Sequence, residues 1–166
     1  MRVCLDTSAL NWMADNSGTL EQLLMAMDRG SVSVLVHPET ADEIRRTPDP
    51  DRRSKLESVL SHFVPLGPTR VPRLGTMRLG LARLPTAQDE ARLEVVNFLR
   101  DGSDRTLVTN AAGDRCDAFV THDGEMAKRN LGRLEAELGG TRVLRPEQFF
   151  AELAKNHSEP RDGASR

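Results

Sequence analysis

Val3-Cys4-Leu5-Asp6-Thr7-Ser8 is the stretch on which the fold turns: an apolar run that stops at an acid and two hydroxyls. A run this short, bounded by polar residues, reads as a buried strand. The same pattern recurs later in the chain. Ala118-Phe119-Val120 stops at Thr121-His122-Asp123, Val32 to Val36 is rich in β-branched residues, and Arg142-Val143-Leu144 is a last short run.

Helical patterns fill the intervals. Leu20, Leu23, Leu24 and Met27 recur at helical spacing behind Thr19, with Gln22 placed to complete a capping box and Gly30 as a stop. Pro38 suits the first turn of a helix reaching about Arg46, ended by Pro48 and Pro50. Arg52 to His62 puts Leu56, Val59 and Leu60 on one face, and Val64 to Leu84, with Pro65, Pro68 and Pro72, begins as loop. Thr86 opens a helix through Leu93, Val96 and Leu99 that Gly102 closes. Asp104 is placed to cap another ending near Gly113. A helix is expected from Gly124 to Asn130, and a final one from Pro146 with Phe149, Phe150 and Leu153. Alternating strands and helices predict an α/β domain with a mainly parallel sheet. The expected domain covers 1–155, with 156–166 a polar tail.

Composition narrows the function. The chain has 166 residues, 38% hydrophobic and 29% charged, which fits one ordinary globular domain with a single core. No apolar run is long enough to span a membrane, and the acid at position 6 interrupts any secretory pattern, so a cytoplasmic location is expected. Two cysteines, Cys4 and Cys116, are too few for a disulfide framework and read as small core residues. A net charge of -2 excludes a uniformly basic nucleic-acid binder, yet Arg45, Arg46, Arg70, Arg73, Arg78 and Arg83 make the middle of the chain basic.

The acids lie outside that basic stretch. Asp6 and Asp123 end apolar strands, Asp104 opens a predicted helix, and Glu39 and Glu43 share a helix face four residues apart. In a parallel sheet, strand ends of this kind share one edge, where ligands collect. Carboxylates crowded there raise one another's pKa. A divalent cation relieves that repulsion, and hard oxygen ligands suit Mg²⁺ or Mn²⁺. Each acid also has a plainer reading. Asp6 can be a loop acid, Asp104 an N-cap, Asp123 a turn residue, and Glu43 a solvated partner of Arg45 or Arg46. Their common position at strand-to-helix junctions favours a site.

In this arrangement the chain resembles the PIN-domain nucleases. The resemblance runs over about residues 1–155. Its pieces are Val3 to Leu10, the Pro38…Glu43-Ile44 helix, Asp104 followed by Ala111-Ala112, Asp117 to Asp123, and Val143-Leu144-Arg145-Pro146-Glu147-Gln148-Phe149-Phe150. It implies a three-layer α/β/α sandwich that cleaves single-stranded RNA with Mg²⁺ or Mn²⁺. The family's acids fall on Asp6, Glu43, Asp104 and Asp123, with Glu39 an alternative for the second. Ser8 and Thr121 match hydroxyls that orient the carboxylates, and Asp117 and Asp101 are further nearby acids. Many members of the family are toxins held by a small antitoxin protein, and homodimers are common among them; RNA processing or a stand-alone role is equally consistent with the residues. The stretch from Arg45 to Leu84 is longer and richer in proline than in the shortest members.

The expected chemistry is phosphodiester hydrolysis in which a divalent ion activates a water and steadies the departing oxygen. His37, His62, His122 and His157 show no zinc-ligand spacing. An acidic pocket needs basic walls to hold RNA, and Arg45, Arg46, Arg73 and Arg78 are the candidates, with Arg70 and Arg83 beside them. Most of these also read as solvated charges. Trp12 is close to the first acid and suits either base stacking or packing. Two other classes compete. One is a catalytically weak RNA- or protein-binding module on the same fold. The other is a phosphatase-like enzyme with Asp6 as nucleophile, which wants an acid where Ser8 stands and has only Lys128 near the last acid.

Overall fold

The computed structural model describes residues 1–63, 86–129 and 131–158. Four short strands carry the architecture: β1 (Arg2–Leu5), β2 (Ser33–Leu35), β3 (Ala118–Val120) and β4 (Arg142–Leu144). They form one sheet in the order β2-β1-β3-β4, every pair parallel. Register places Val3 beside Val34 and Ala118, and Phe119 beside Val143.

Alternation along these strands builds two cores. Val3 and Leu5 of β1 point to one face and Cys4 to the other, and Ala118 and Val120 of β3 part from Phe119 in the same way. The first face is covered by α1 (Thr7–Asp15), α2 (Thr19–Asp28), α3 (Pro38–Arg45), α4 (Pro50–Leu60) and α8 (Pro146–Ser158), through Leu10, Met13, Leu23, Ile44, Leu56 and Phe149. The second is covered by α5 (Ala87–Val95), α6 (Gly102–Gly113), a π-helical turn (Glu125–Arg129) and α7 (Leu131–Glu137), through Leu107, Val108, Ala111, Met126 and Leu134. Helices on both faces of a parallel sheet make a three-layer α/β/α sandwich, as expected. Among the described residues no helix is long and apolar enough to cross a membrane.

Several boundaries differ from expectation, and local chemistry explains them. Helix α1 was not anticipated. Asp6 caps it by accepting the Ala9 N–H, and Ala9, Leu10 and Met13 form its buried face. The proposed Thr19/Gln22 capping box does not form. Gly18, at φ +84°, is the N-cap, the Thr19 hydroxyl donates back to the Asn16 carbonyl at 2.7 Å, and the Gln22 amide reaches the Phe150 carbonyl. Pro50 does not merely stop α3: it sits in the first turn of α4, which Asp49 caps through the Asp51 and Arg52 amides.

Likewise Gly102 opens α6 rather than closing α5. The cap is Asp101, through the Ser103 amide at 2.6 Å, so Asp104 is a first-turn residue and not the N-cap. Thr86 does cap α5, in a capping box with Asp89. Helix α7 was not foreseen, and α8 continues to Ser158, past the expected boundary at 155. The 64–85 stretch read as loop at its start lies outside the described residues, as do residues 159–166 of the expected tail. Cys4 and Cys116 are buried free thiols, as expected.

Candidate active site

The winding of the chain defines a crevice. From β1 the chain adds β2 on one side, then crosses back to place β3 on the other. At such a reversal the connections leave in opposite directions and open a gap at the carboxyl ends of the two strands. Here those strands are β1 and β3, whose ends lead into Asp6 and into Thr121 and Asp123.

Asp6 is the inner wall of the crevice. It is 4% exposed, and its backbone amide donates to the Val120 carbonyl, tying it to β3. Its carboxylate accepts from the Thr121 hydroxyl at 2.6 Å, from the Ser8 hydroxyl at 2.9 Å and from the Ala9 amide at 2.7 Å. Burial nonetheless pushes its pKa up from 3.8 to about 6. The hydrogen bonds from Thr121, Ala9 and Ser8 pull the other way, and the charge of Glu43 adds to the rise.

Glu43 bridges two helices. Its carboxylate accepts from the hydroxyl of Thr7 at the start of α1 and from that of Ser103 in α6, the latter at 2.5 Å. Glu39, the alternative second acid, is 3% exposed in the first turn of α3. Its charge acts on the Cys4 thiol, which belongs to the second core. The structure brings Glu43 to hydroxyls that border the crevice.

Asp104 completes the electrostatic picture. It is half-buried, and burial is the largest cause that lifts its pKa from 3.8 to about 7. The charges of Asp101, Asp123, Asp6 and Glu43 follow, each raising it further. Carboxylates at the ends of β1 and β3, on α3 and at the cap of α6 thus act on one group. Asp123 is held by its own turn: its Oδ1 accepts the Glu125 amide at 2.7 Å and the Met126 amide at 3.1 Å, so it caps the π-helical turn. Its amide hydrogen-bonds the Thr121 hydroxyl at 3.0 Å, which also binds Asp6.

Not every expected residue arrives. Asp117 lies at the opposite edge of the sheet, ahead of β3, where its carboxylate accepts the Arg2 amide at 2.7 Å. It supports the β1–β3 pairing rather than the crevice. Asp101 is a helix cap that also adds charge beside Asp104. Arg45 is exposed and tied to Asp42 on its own helix, and Arg46 is exposed one residue beyond. Arg70, Arg73, Arg78 and Arg83 lie outside the described residues. Trp12 stacks on Phe150 with ring centroids 5.7 Å apart, a packing contact of the first core. Sequence reasoning missed Thr7 and Ser103 as partners of Glu43. Each directly follows or precedes an acid of the cluster, which is the signal that could have found them.

The donors assembled here are hard oxygens throughout, carboxylate and hydroxyl, and they suit a hard divalent cation. Burial chiefly raises Asp6 and Asp104, repulsion among the carboxylates adds to it, and a cation would relieve that repulsion. No salt bridge among the described residues brings a basic side chain to Asp6, Glu43, Asp104 or Asp123. Three or more of these side chains do not already form a group that could hold an ion among the described residues. Glu43 and Asp123 are directed instead to hydroxyls and amides.

Comparison with known proteins adds little to this geometry. No family model and no curated protein matches the chain. A crystal structure of PAE2754 from Pyrobaculum aerophilum is similar at 20% identity, over 93% of this chain and 99% of that one, with a TM-score of 0.49. A likeness of that strength says nothing about activity.

Proposed function

We propose that this chain is a divalent-metal-dependent ribonuclease that hydrolyses single-stranded RNA at the β1–β3 crevice. One observation carries the reading. The Thr121 hydroxyl at the end of β3 binds both the Asp6 carboxylate and the Asp123 amide, and the charges of Asp101, Asp123, Asp6 and Glu43 bear on half-buried Asp104 beside them. Perturbed acids concentrated in a sheet-edge crevice are a mark of functional sites, because structure alone gains nothing from unrelieved repulsion. The resemblance to PIN-domain nucleases points the same way.

When bound, Mg²⁺ or Mn²⁺ would supply Lewis-acid polarisation of the scissile phosphate and of water. The residues divide the remaining work. Thr121, Ser8 and the Ala9 amide fix the Asp6 carboxylate in one orientation. Thr7 and Ser103 fix Glu43. Asp123, on a short turn, and half-buried Asp104 close the outer side. The oxygen of water bonds to phosphorus, the bond to the departing ribose oxygen breaks, and the water proton passes by way of a carboxylate of the cluster to that departing oxygen. A small antitoxin protein and a second copy of the chain as partners belong to the same reading, carried by the resemblance, and a cytoplasmic location is proposed with it.

Cleavage of end-labelled single-stranded RNA in Mn²⁺ or Mg²⁺ tests the proposal. Native protein should cut and chelator should stop it. Asp6→Asn should cut at least about a hundredfold more slowly, the scale of losing a group that acts in the transition state. Equal cleavage by both proteins, or none by either, rejects the assignment.

A further inference from the structure

An acid-lined crevice repels the phosphates that flank the scissile one, a cation from the protein at its rim offsets that repulsion, and the described part of the chain places one there. Strand β4 ends beside β3, with the Thr121 amide donating to the Leu144 carbonyl at 3.0 Å. The next residue is Arg145. Its guanidinium Nη2 lies 3.2 Å from His122 Nε2. The His122 amide in turn donates to the Ser8 hydroxyl at 2.7 Å, and that hydroxyl donates to Asp6. A continuous chain of contacts thus links the buried acid to an arginine at the same sheet edge.

Arg145 differs from the arginines that carboxylates hold. Arg45, Arg52 and Arg142 each lie on a carboxylate, of Asp42, Asp15 and Glu152 respectively. Arg145 makes no salt bridge to an acid among the described residues; its partner is an imidazole. Glu147 Oε1 lies 3.5 Å from the same His122 Nε2 and pairs with it only when the ring is protonated; with the ring neutral, that nitrogen accepts from Arg145. Half-buried Arg145 is oriented by the ring and by its place at the start of α8, and no carboxylate among the described residues takes up its charge. A guanidinium presents several donors in one plane, which suits phosphate oxygens.

We infer that Arg145, steadied by His122, contacts a backbone phosphate of single-stranded RNA and holds the strand on the β4 side of the crevice. The inference rests on the nuclease reading. Because such a contact reads no base, it should affect all sequences alike.

The test is fluorescence-anisotropy binding of a labelled RNA oligonucleotide in Ca²⁺ at several salt concentrations, with Mn²⁺-dependent cleavage measured in parallel. The proteins compared are native, Arg145→Gln, Arg145→Lys and His122→Gln. Arg145→Gln should bind about tenfold more weakly and lose about 0.7 from the salt slope, the share of one phosphate contact to a single strand. Its KM should rise with kcat little changed. Arg145→Lys should keep the slope, and His122→Gln should weaken binding without changing it. Arg145→Gln with native affinity and slope, while native protein cuts normally, overturns this inference and leaves the nuclease reading standing. Native protein that neither binds nor cuts RNA removes both. Should Arg145→Gln fail to fold, His122→Gln decides, and unchanged affinity there overturns the inference.

Discussion

Replacing Asp6 by Asn should stabilise the protein at pH 8 while slowing RNA cleavage at least about a hundredfold. The Asp6 carboxyl is lifted from 3.8 to about 6, chiefly by burial. A lift of that size means ionised Asp6 destabilises the fold by about 3 kcal/mol relative to its protonated form. The sign follows from which state holds the proton more tightly. The folded chain keeps it to about pH 6, and the unfolded chain releases it near 4, so the folded state is favoured below that window. That advantage drains away as pH rises from about 4 to 6, and Asp104, lifted to about 7, extends the decline in the same direction.

Asn mimics the protonated acid. Its oxygen can accept the Ala9 amide and its NH₂ can donate to Thr121, but the Ser8 and Thr121 hydroxyls must reorient, at about 1–2 kcal/mol. The net gain at pH 8 is therefore about 1–2 kcal/mol, a rise in Tm of roughly 3–6 °C for a domain of this size. Thermal melts of both proteins in chelator, at pH 8 and pH 5, measure it. The gain should shrink at pH 5. An Asp6→Asn protein that melts below native at pH 8, or an offset that is the same at both pH values, would show that the carboxylate serves mainly as the cap of α1, and would refute the reasoning.

Two further outcomes follow from the cores. Cys4 is fully buried with its thiol pushed well above the ordinary range, and burial raises Cys116 to about 12. Both should resist iodoacetamide at pH 8 in native protein and react in guanidinium, read by mass spectrometry; rapid native labelling contradicts the packing. Phe119→Ala removes a fully buried ring on the middle of β3 and should cost about 3–5 kcal/mol in urea unfolding, whereas a loss below about 1 kcal/mol would deny it a central place in the second core.

The fold was legible where the signal is local and apolar. The strands at Val3, Val34, Phe119 and Val143 are short hydrophobic runs between polar stops, and their order implies the parallel sheet. Helix α1 escaped because Asp6, Thr7 and Ser8 were read for their chemistry alone, although Asp6 with Ala9 and Leu10 is also a capped helix start. Asp104 and Asp101 both sit at a helix start, and only backbone geometry shows which of them caps. Asp117 resembles a site acid in sequence. It lies on the wrong side of its strand, and a three-residue strand is enough to separate the two edges of the sheet. The choice between Glu39 and Glu43 needed tertiary contacts, since both lie on one helix face and only Glu43 meets Thr7 and Ser103. Arg145 gave no signal, because nothing in a strand-to-helix junction reveals that its neighbour in space is His122.

Titration of Mn²⁺ into the chelator-treated protein, followed by the electron paramagnetic resonance of the free ion, tests the central claim most directly. Native protein should take up Mn²⁺ saturably. Asp6→Asn, Asp104→Asn and Asp123→Asn, each melting cooperatively, should each weaken uptake by tenfold or more, the scale expected when a carboxylate is taken from a metal site (about 10–100-fold). Undiminished uptake in all of them, or no saturable uptake by the native chain, would contradict the account.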